Sequence, residues 1–202
     1  MYKVQNYSDL FFFFRIDDSR SCVHRFMSHA LVYVYSGELE MIASDQTVTI
    51  RSGEAVFVRK EICLRLVVCR KETKETKIAI LRIPESFLRE FYFTIDKLEN
   101  IADAPEQSVF FIPPRKDIDS LFCSMTPYYG VDVVPGKKIL KLKIIEAIYA
   151  LLGTSQLFHT LLFGFAYGSG INVFDLLADT SLSPFYWHRN GAAQIELDNK
   201  LN

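Results

Sequence analysis

The sequence predicts a mainly β fold with a helical appendage: a barrel or sandwich of short strands followed by two or three helices. Three observations predict it. Short apolar or alternating runs, each bounded by turn residues, follow one another from Leu10 to Ile83. Almost nothing of helical period interrupts them, which disfavours a parallel sheet built from strand–helix–strand units. Beyond Pro84 the apolar period becomes that of helices.

The elements follow in order. Met1 to Asp9 is polar and carries no strong signal. Leu10 to Ile16 is an aromatic strand closed by Asp17, Asp18 and Ser19. His29 to Tyr35 is β-branched and aromatic, and Glu38 to Ala43 follows so directly that Ser36-Gly37 is expected to be a hairpin turn. Ser44-Asp45 is a second turn, and Thr47 to Ile50 alternates as far as Ser52-Gly53. Ala55–Val58, Ile62–Val68 and Lys77–Ile83 are further strands, with charged residues and threonines from Arg70 to Thr76 expected to form an exposed hairpin end. Pro84 opens a helix to Tyr92, since its missing N–H is harmless in a first turn. Val109 to Ile112 is a last strand closed by Pro113-Pro114. Ile118, Leu121, Phe122 and Met125 have helical spacing, with Asp117 and Asp119 as favourable charges at the helix start. Leu140, Ile144, Ile148 and Leu151 form one stripe of the clearest helix, which Gly153 ends, and Gln156 to Tyr167 reads as a packed helix. The chain thus divides into a β module over 1–112, a helical module over 113–167 and a weakly patterned tail over 168–202.

Composition narrows the function classes. Half of the 202 residues are hydrophobic, and 17 Phe and 10 Tyr supply a sizeable core, which argues against long disorder. The net charge of −1 lacks the basic excess of a free-standing nucleic-acid binder. Lys137, Lys138, Lys141 and Lys143 read as a solvated helix face. Cys22, Cys63, Cys69 and Cys123 have no paired spacing and fit reduced thiols of a cytoplasmic protein. Leu10 to Phe14 is too short for a signal sequence or membrane span, so no membrane partner is expected. No GxSxG, HExxH, GxGxxG or phosphate-cradling loop occurs. His159 lies on an apolar helix face and reads as a core histidine, and His188 stands beside Trp187 in the tail.

The segment from His24 to Val58 resembles the first stretch of the cupin superfamily, H-x-H, a short spacer, E, six residues, G. With Gly37 as the anchor, the two histidine positions are His24 and Phe26 and the glutamate position is Ala30. Gly53-Glu54 resembles the Gly-Asp that turns the chain into the next strand. The second stretch, P-x-G-x-x-H, falls on Arg59, Glu61 and Leu64. The resemblance implies a double-stranded β-helix barrel. It also implies that three of four metal positions, Phe26, Ala30 and Leu64, are apolar, so no metal, no cofactor and no catalytic residue are expected.

The runs HALVYVYSGELEM (29–41) and RSGEAVFV (51–58) also resemble the amino-terminal domain of the AraC family of transcription regulators. ETKIAILRIPESFLREFY (75–92) and LKLKIIEAIYALL (140–152) extend the likeness. That family implies a bacterial cytoplasmic protein whose barrel senses a small molecule or protein, whose helices form a homodimer, and whose DNA contact comes from paired helix-turn-helix units. The stretch after Tyr167 is too short for those units, so DNA contact is expected only through a domain missing from this chain.

Alternation places Ala30, Val32 and Val34 on the lumen side with His24, Phe26 and Leu64, which are the candidate ligand-binding residues. Such an apolar lumen is either a filled core or a pocket for an apolar effector. The stripe Leu140, Ile144, Ile148, Leu151 is either intrachain core or the dimer seam. Three functions remain in view: a sensing and dimerisation domain, a stand-alone protein that forms heterodimers with regulators, and a metal-dependent cupin enzyme.

Overall fold

The computed structural model describes residues 2–68, 75–95, 105–129, 133–166 and 188–189. Its strands are β1 (Tyr2–Tyr7), β2 (Phe11–Ile16), β3 (Arg20–Phe26), β4 (His29–Ser36), β5 (Glu38–Ile42), β6 (Thr47–Arg51), β7 (Ala55–Val58), β8 (Ile62–Val68), β9 (Thr76–Ile83), β10 (Val109–Ile112) and β11 (His188–Arg189). The helices are α1 (Glu85–Tyr92), α2 (Lys116–Met125), α3 (Lys137–Leu152) and α4 (Gln156–Phe163), with short 3-10 turns after α2 and α4. Cys69, most of the charged stretch after it, Trp187 and nearly all of the tail lie outside the described residues.

Two antiparallel sheets face each other, in the orders β1-β2-β9-β4-β7-β10 and β11-β3-β8-β5-β6. The pairings are nested: β2 with β9, β3 with β8, β4 with β7, and β5 with β6. A long antiparallel ribbon folded at the β5–β6 tip and coiled into two sheets has this pattern, which is the double-stranded β-helix of cupins.

This topology corrects one expectation. Ser36-Gly37 is not a hairpin turn, because β4 and β5 belong to different sheets. The chain crosses between sheets at Gly37, whose φ of +85° suits glycine. A Cβ there would lie 2.3 Å from Thr76 Oγ1, so close passage of β9 also demands glycine. β8 and β9 likewise belong to different sheets, and the expected hairpin end from Arg70 to Thr76 lies mostly outside the described residues. Ser44-Asp45 does turn a hairpin, and Asp45 accepts hydrogen bonds from the N–H and Oγ of Ser108 at 2.9 and 2.7 Å.

Alternation divides the apolar residues into two cores. One fills the barrel, with Phe12, Phe14, Val32, Val56, Leu66 and Ile80 among its members. The other lies on the outer face of the six-stranded sheet, where Phe13, Leu31, Tyr33 and Phe57 meet all four helices. Tyr129 stacks on Phe13 at 3.8 Å and Phe122 on Tyr33 at 4.5 Å. The Tyr35 hydroxyl donates to the Phe122 carbonyl at 2.8 Å, fixing the end of α2 on the barrel.

Candidate functional site

The strands bring the lumen candidates together. Along β3 the buried positions are Cys22, His24 and Phe26, and His24 sits opposite Leu64 on β8. Ala30, Val32 and Val34 face the same interior from β4. Ala30, Val32, Val34 and Leu64 are 0% exposed, Phe26 is 2% and His24 is 6%. The His24 ring makes an edge contact with Phe26 at 4.9 Å. Burial first, and the nearby Arg82 charge second, push its pKa down to about 4, so it is a neutral imidazole in an apolar wall.

Two turns have the backbone that the cupin register expects. Gly53 has φ +83°, and the Glu54 carboxylate closes its turn by accepting from the Arg51 N–H at 2.7 Å. Glu61, at the glycine position of the second stretch, also has a positive φ of 63°. Its N–H donates to the Phe26 carbonyl at 2.5 Å. In that register the metal positions carry one nitrogen donor and three hydrocarbon side chains. A divalent metal needs three or more protein donors, so these residues do not fit one.

The stripe Leu140, Ile144, Ile148 and Leu151 lies at 0–1% exposure inside the chain's own outer core. Those residues are therefore intrachain core, and the reading of this stripe as a dimer seam gives way. The same helix carries a second stripe. Leu142 is 59% and Tyr149 54% exposed, and half-buried Ile145 and Leu152 complete the spacing i, i+3, i+7, i+10. The helix is thus apolar on two sides; on the second, Ile145 and Leu152 still pack against the outer core and Tyr149 meets Phe91 edge-on at 5.2 Å, while Leu142 and Tyr149 reach the surface.

A cleft that sequence reasoning missed lies where the barrel meets α4. It has about 210 Å³, with His29, Arg59, Lys60 and Glu61 on the barrel wall and Leu161, Leu162 and Phe165 among its helical lining. The Lys60 N–H donates to His29 Nδ1 at 3.2 Å, and the His29 ring stacks on Phe57 at 5.2 Å. Burial, then the Lys60 charge, push the His29 pKa down to about 3 against the opposing pull of Glu85. Glu85 at the start of α1 pairs with Lys60 and accepts from Arg89 Nε at 3.0 Å. Burial pushes the Glu85 carboxyl up, and Lys60 and Arg89 outweigh it, holding it below the ordinary carboxylate range. The cleft escaped notice because its walls lie some hundred positions apart in sequence, and no local pattern joins them.

A cupin-like double-stranded β-helix barrel with a helical layer on one sheet is the class of fold these elements define. A family model described as the ExsA N-terminal regulatory domain matches residues 29–160, and this chain belongs to that family. Apo ToxT from Vibrio cholerae (a point variant) is similar at a TM-score of 0.51 and 10% identity, over 85% of this chain and 70% of that one. A second ToxT crystal form gives a TM-score of 0.45 and 12% identity over 77% and 57% of the two chains. A cupin superfamily protein from Desulfitobacterium hafniense gives 0.34 and 16% over 42% and 77%. At these identities the likeness concerns the fold. No curated protein sequence matches the chain. Among the described residues no helix is long and apolar enough to cross a membrane.

Proposed function

We propose that this chain is the non-catalytic sensing and dimerisation portion of an AraC-type transcription regulator, and that it forms a homodimer through the outer stripe of α3. The observation that carries the dimer is the second apolar stripe, Leu142, Ile145, Tyr149 and Leu152, on a helix whose other stripe is already buried. Regulators that read paired DNA half-sites work as symmetric dimers, and a two-fold axis matches one stripe with its own copy. An antiparallel pairing fits the charges. Lys137, Lys138 and Lys141 crowd the first turns of the helix, and a parallel pair would set them against their own copies, whereas an antiparallel pair sends the two lysine clusters to opposite ends of the seam.

Membership of a regulatory family and three apolar side chains at the metal positions support the non-catalytic reading. The filled rows of the lumen favour an effector that binds elsewhere on the domain, whether small molecule or protein. DNA contact belongs to helix-turn-helix units supplied by other segments of the regulator.

Sedimentation equilibrium tests the seam. Leu142→Glu is expected to leave the thermal midpoint nearly unchanged, because the side chain is 59% exposed in the single chain. Each dimer would lose two buried leucines at about 1.5–3 kcal/mol apiece, weakening association by a factor of a hundred or more, on the order of 3 kcal/mol. A native chain that stays monomeric at high concentration, or a Leu142→Glu chain that dimerises as before, would sink the proposal.

A further inference from the structure

The cleft between the barrel and α4 has the size, charge and wall chemistry of a ligand site. A cavity of about 150 Å³ holds benzene, so one of about 210 Å³ takes about eight non-hydrogen atoms. Its charges do not cancel. Arg59 and Lys60 stand on the barrel wall, and the Arg89 guanidinium lies 4.7 Å over the ring of Phe165, which lines the helical wall. Against these three cations stand two carboxylates, Glu61 on the wall and Glu85 behind Lys60. The surplus is one positive charge, which suits a monoanion. Arg59 uses Nη1 to donate to the Pro105 carbonyl at 2.8 Å, and its guanidinium fork has further donors.

His29 adds a neutral donor. Its Nδ1 accepts from the Lys60 N–H, which places the ring proton on Nε2. Burial keeps the ring uncharged at neutral pH, so it offers an N–H without adding a third cation to that wall. Leu161 and Phe165 supply apolar lining from the helical side. A few convergent polar groups on one side and hydrocarbon on the other are the usual plan of a small-molecule site.

We propose that this cleft binds a small monocarboxylate of about eight non-hydrogen atoms, its carboxylate held by Arg59, Lys60 and the His29 Nε2–H and its hydrocarbon part against Leu161 and Phe165. The proposal places the sensing function named above outside the lumen and rests on that reading for its regulatory meaning alone. A bound acid would tie the β7–β8 turn to α4. That helix packs on α3, which carries the outer apolar stripe, and on α1, so occupancy of the cleft reaches the helical layer by direct packing.

The test is titration of the full chain with hexanoate and benzoate, followed by calorimetry and by methyl NMR. Hexanamide and benzamide serve as uncharged controls. At least one acid is expected to bind saturably with a Kd of about 1 mM or tighter, shifting the methyls of Leu161 and Leu162. The amides are expected to bind at least about tenfold more weakly, as loss of charge-assisted hydrogen bonds implies. The double variant Arg59→Gln, Lys60→Gln should weaken the acid by a similar factor. Arg59→Gln alone, at a partly exposed side chain, covers the case in which the double variant fails to fold. Absence of saturable binding, equal binding of acid and amide, or shifts confined to Val32 and Leu64 in the lumen would overturn the proposal. If an acid binds in the cleft and leaves dimer affinity unchanged, the cleft stands and the sensing reading fails, so the two outcomes are separable.

Discussion

Lowering the pH from 7 to 5 is expected to cost the fold about 4 kcal/mol through His24 and His29 together. In an unfolded chain each imidazole takes its proton near pH 6.5. In the native chain burial drives His24 down to about 4 and His29 to about 3. Both native values lie below the unfolded one, so the stabilisation is complete above the unfolded pKa and is lost as pH falls toward the native values. At pH 5 the unfolded chain carries nearly one proton at each site and the native chain almost none, which costs about 2 kcal/mol per histidine. Carboxylates do not confuse this window. Asp45, Glu85 and Asp117 are held low in the native state, and their contributions disappear only as pH falls below the ordinary carboxylate range. Urea unfolding followed by far-ultraviolet circular dichroism at pH 7, 6 and 5 measures the effect. His24→Gln removes one proton site. His29→Asn removes the other and retains an acceptor for the Lys60 N–H. Each variant should lose about 2 kcal/mol less than the native chain over that span. Stability that is flat between pH 7 and 5, or imidazole resonances that titrate near 6.5, would refute the burial on which the reasoning rests.

Two further outcomes check the packing. Ile144→Glu puts a carboxyl at a position 1% exposed and is expected to cost about 5 kcal/mol, comparable to the whole stability of many domains; a thermal melt should show an unfolded or barely folded chain, in contrast to Leu142→Glu. Gly37→Ala combines a positive φ with a clash against Thr76 and should cost at least about 2 kcal/mol, whereas Gly53→Ala, with a similar φ and open space around it, should cost about 1 kcal/mol in the same urea titration.

Strands whose inward side is plainly apolar were legible in the sequence. Ala55–Val58 and Ile62–Val68 fall where the pattern puts them. β3 was not, because its polarity is inverted: Val23 is 59% exposed while His24 is buried. That strand owes its place to seven paired positions along β8, a partner nearly forty residues away. β1, with a polar sequence, is likewise an edge strand held by pairing with β2. The misread turn at Gly37 has a related cause. A glycine and a serine announce that the chain bends, and only the sheet pairings decide whether it returns alongside itself or crosses to the opposite sheet.

The same limit explains α3 and connects it with the proposed function. A helix with one apolar stripe declares which side is core. α3 has two, and periodicity gives no reason to prefer Leu140, Ile144, Ile148 and Leu151 over Leu142, Ile145, Tyr149 and Leu152. What decides is the sheet beneath. Leu31, Tyr33, Phe57 and Leu81 present an apolar surface that the barrel cannot cover itself, and the helical layer with the first stripe covers it. Of the second stripe, Leu142 and Tyr149 then remain exposed, at positions that ordinarily carry charge on a helix surface. With hydrocarbon at three of the four cupin metal positions, two features remain with unspent chemistry. They are the exposed part of this stripe and the cationic cleft beneath α4. Because α4 packs against both α1 and α3, the two are joined by one helical layer, which is the physical requirement for a ligand at the barrel to be felt at a subunit seam.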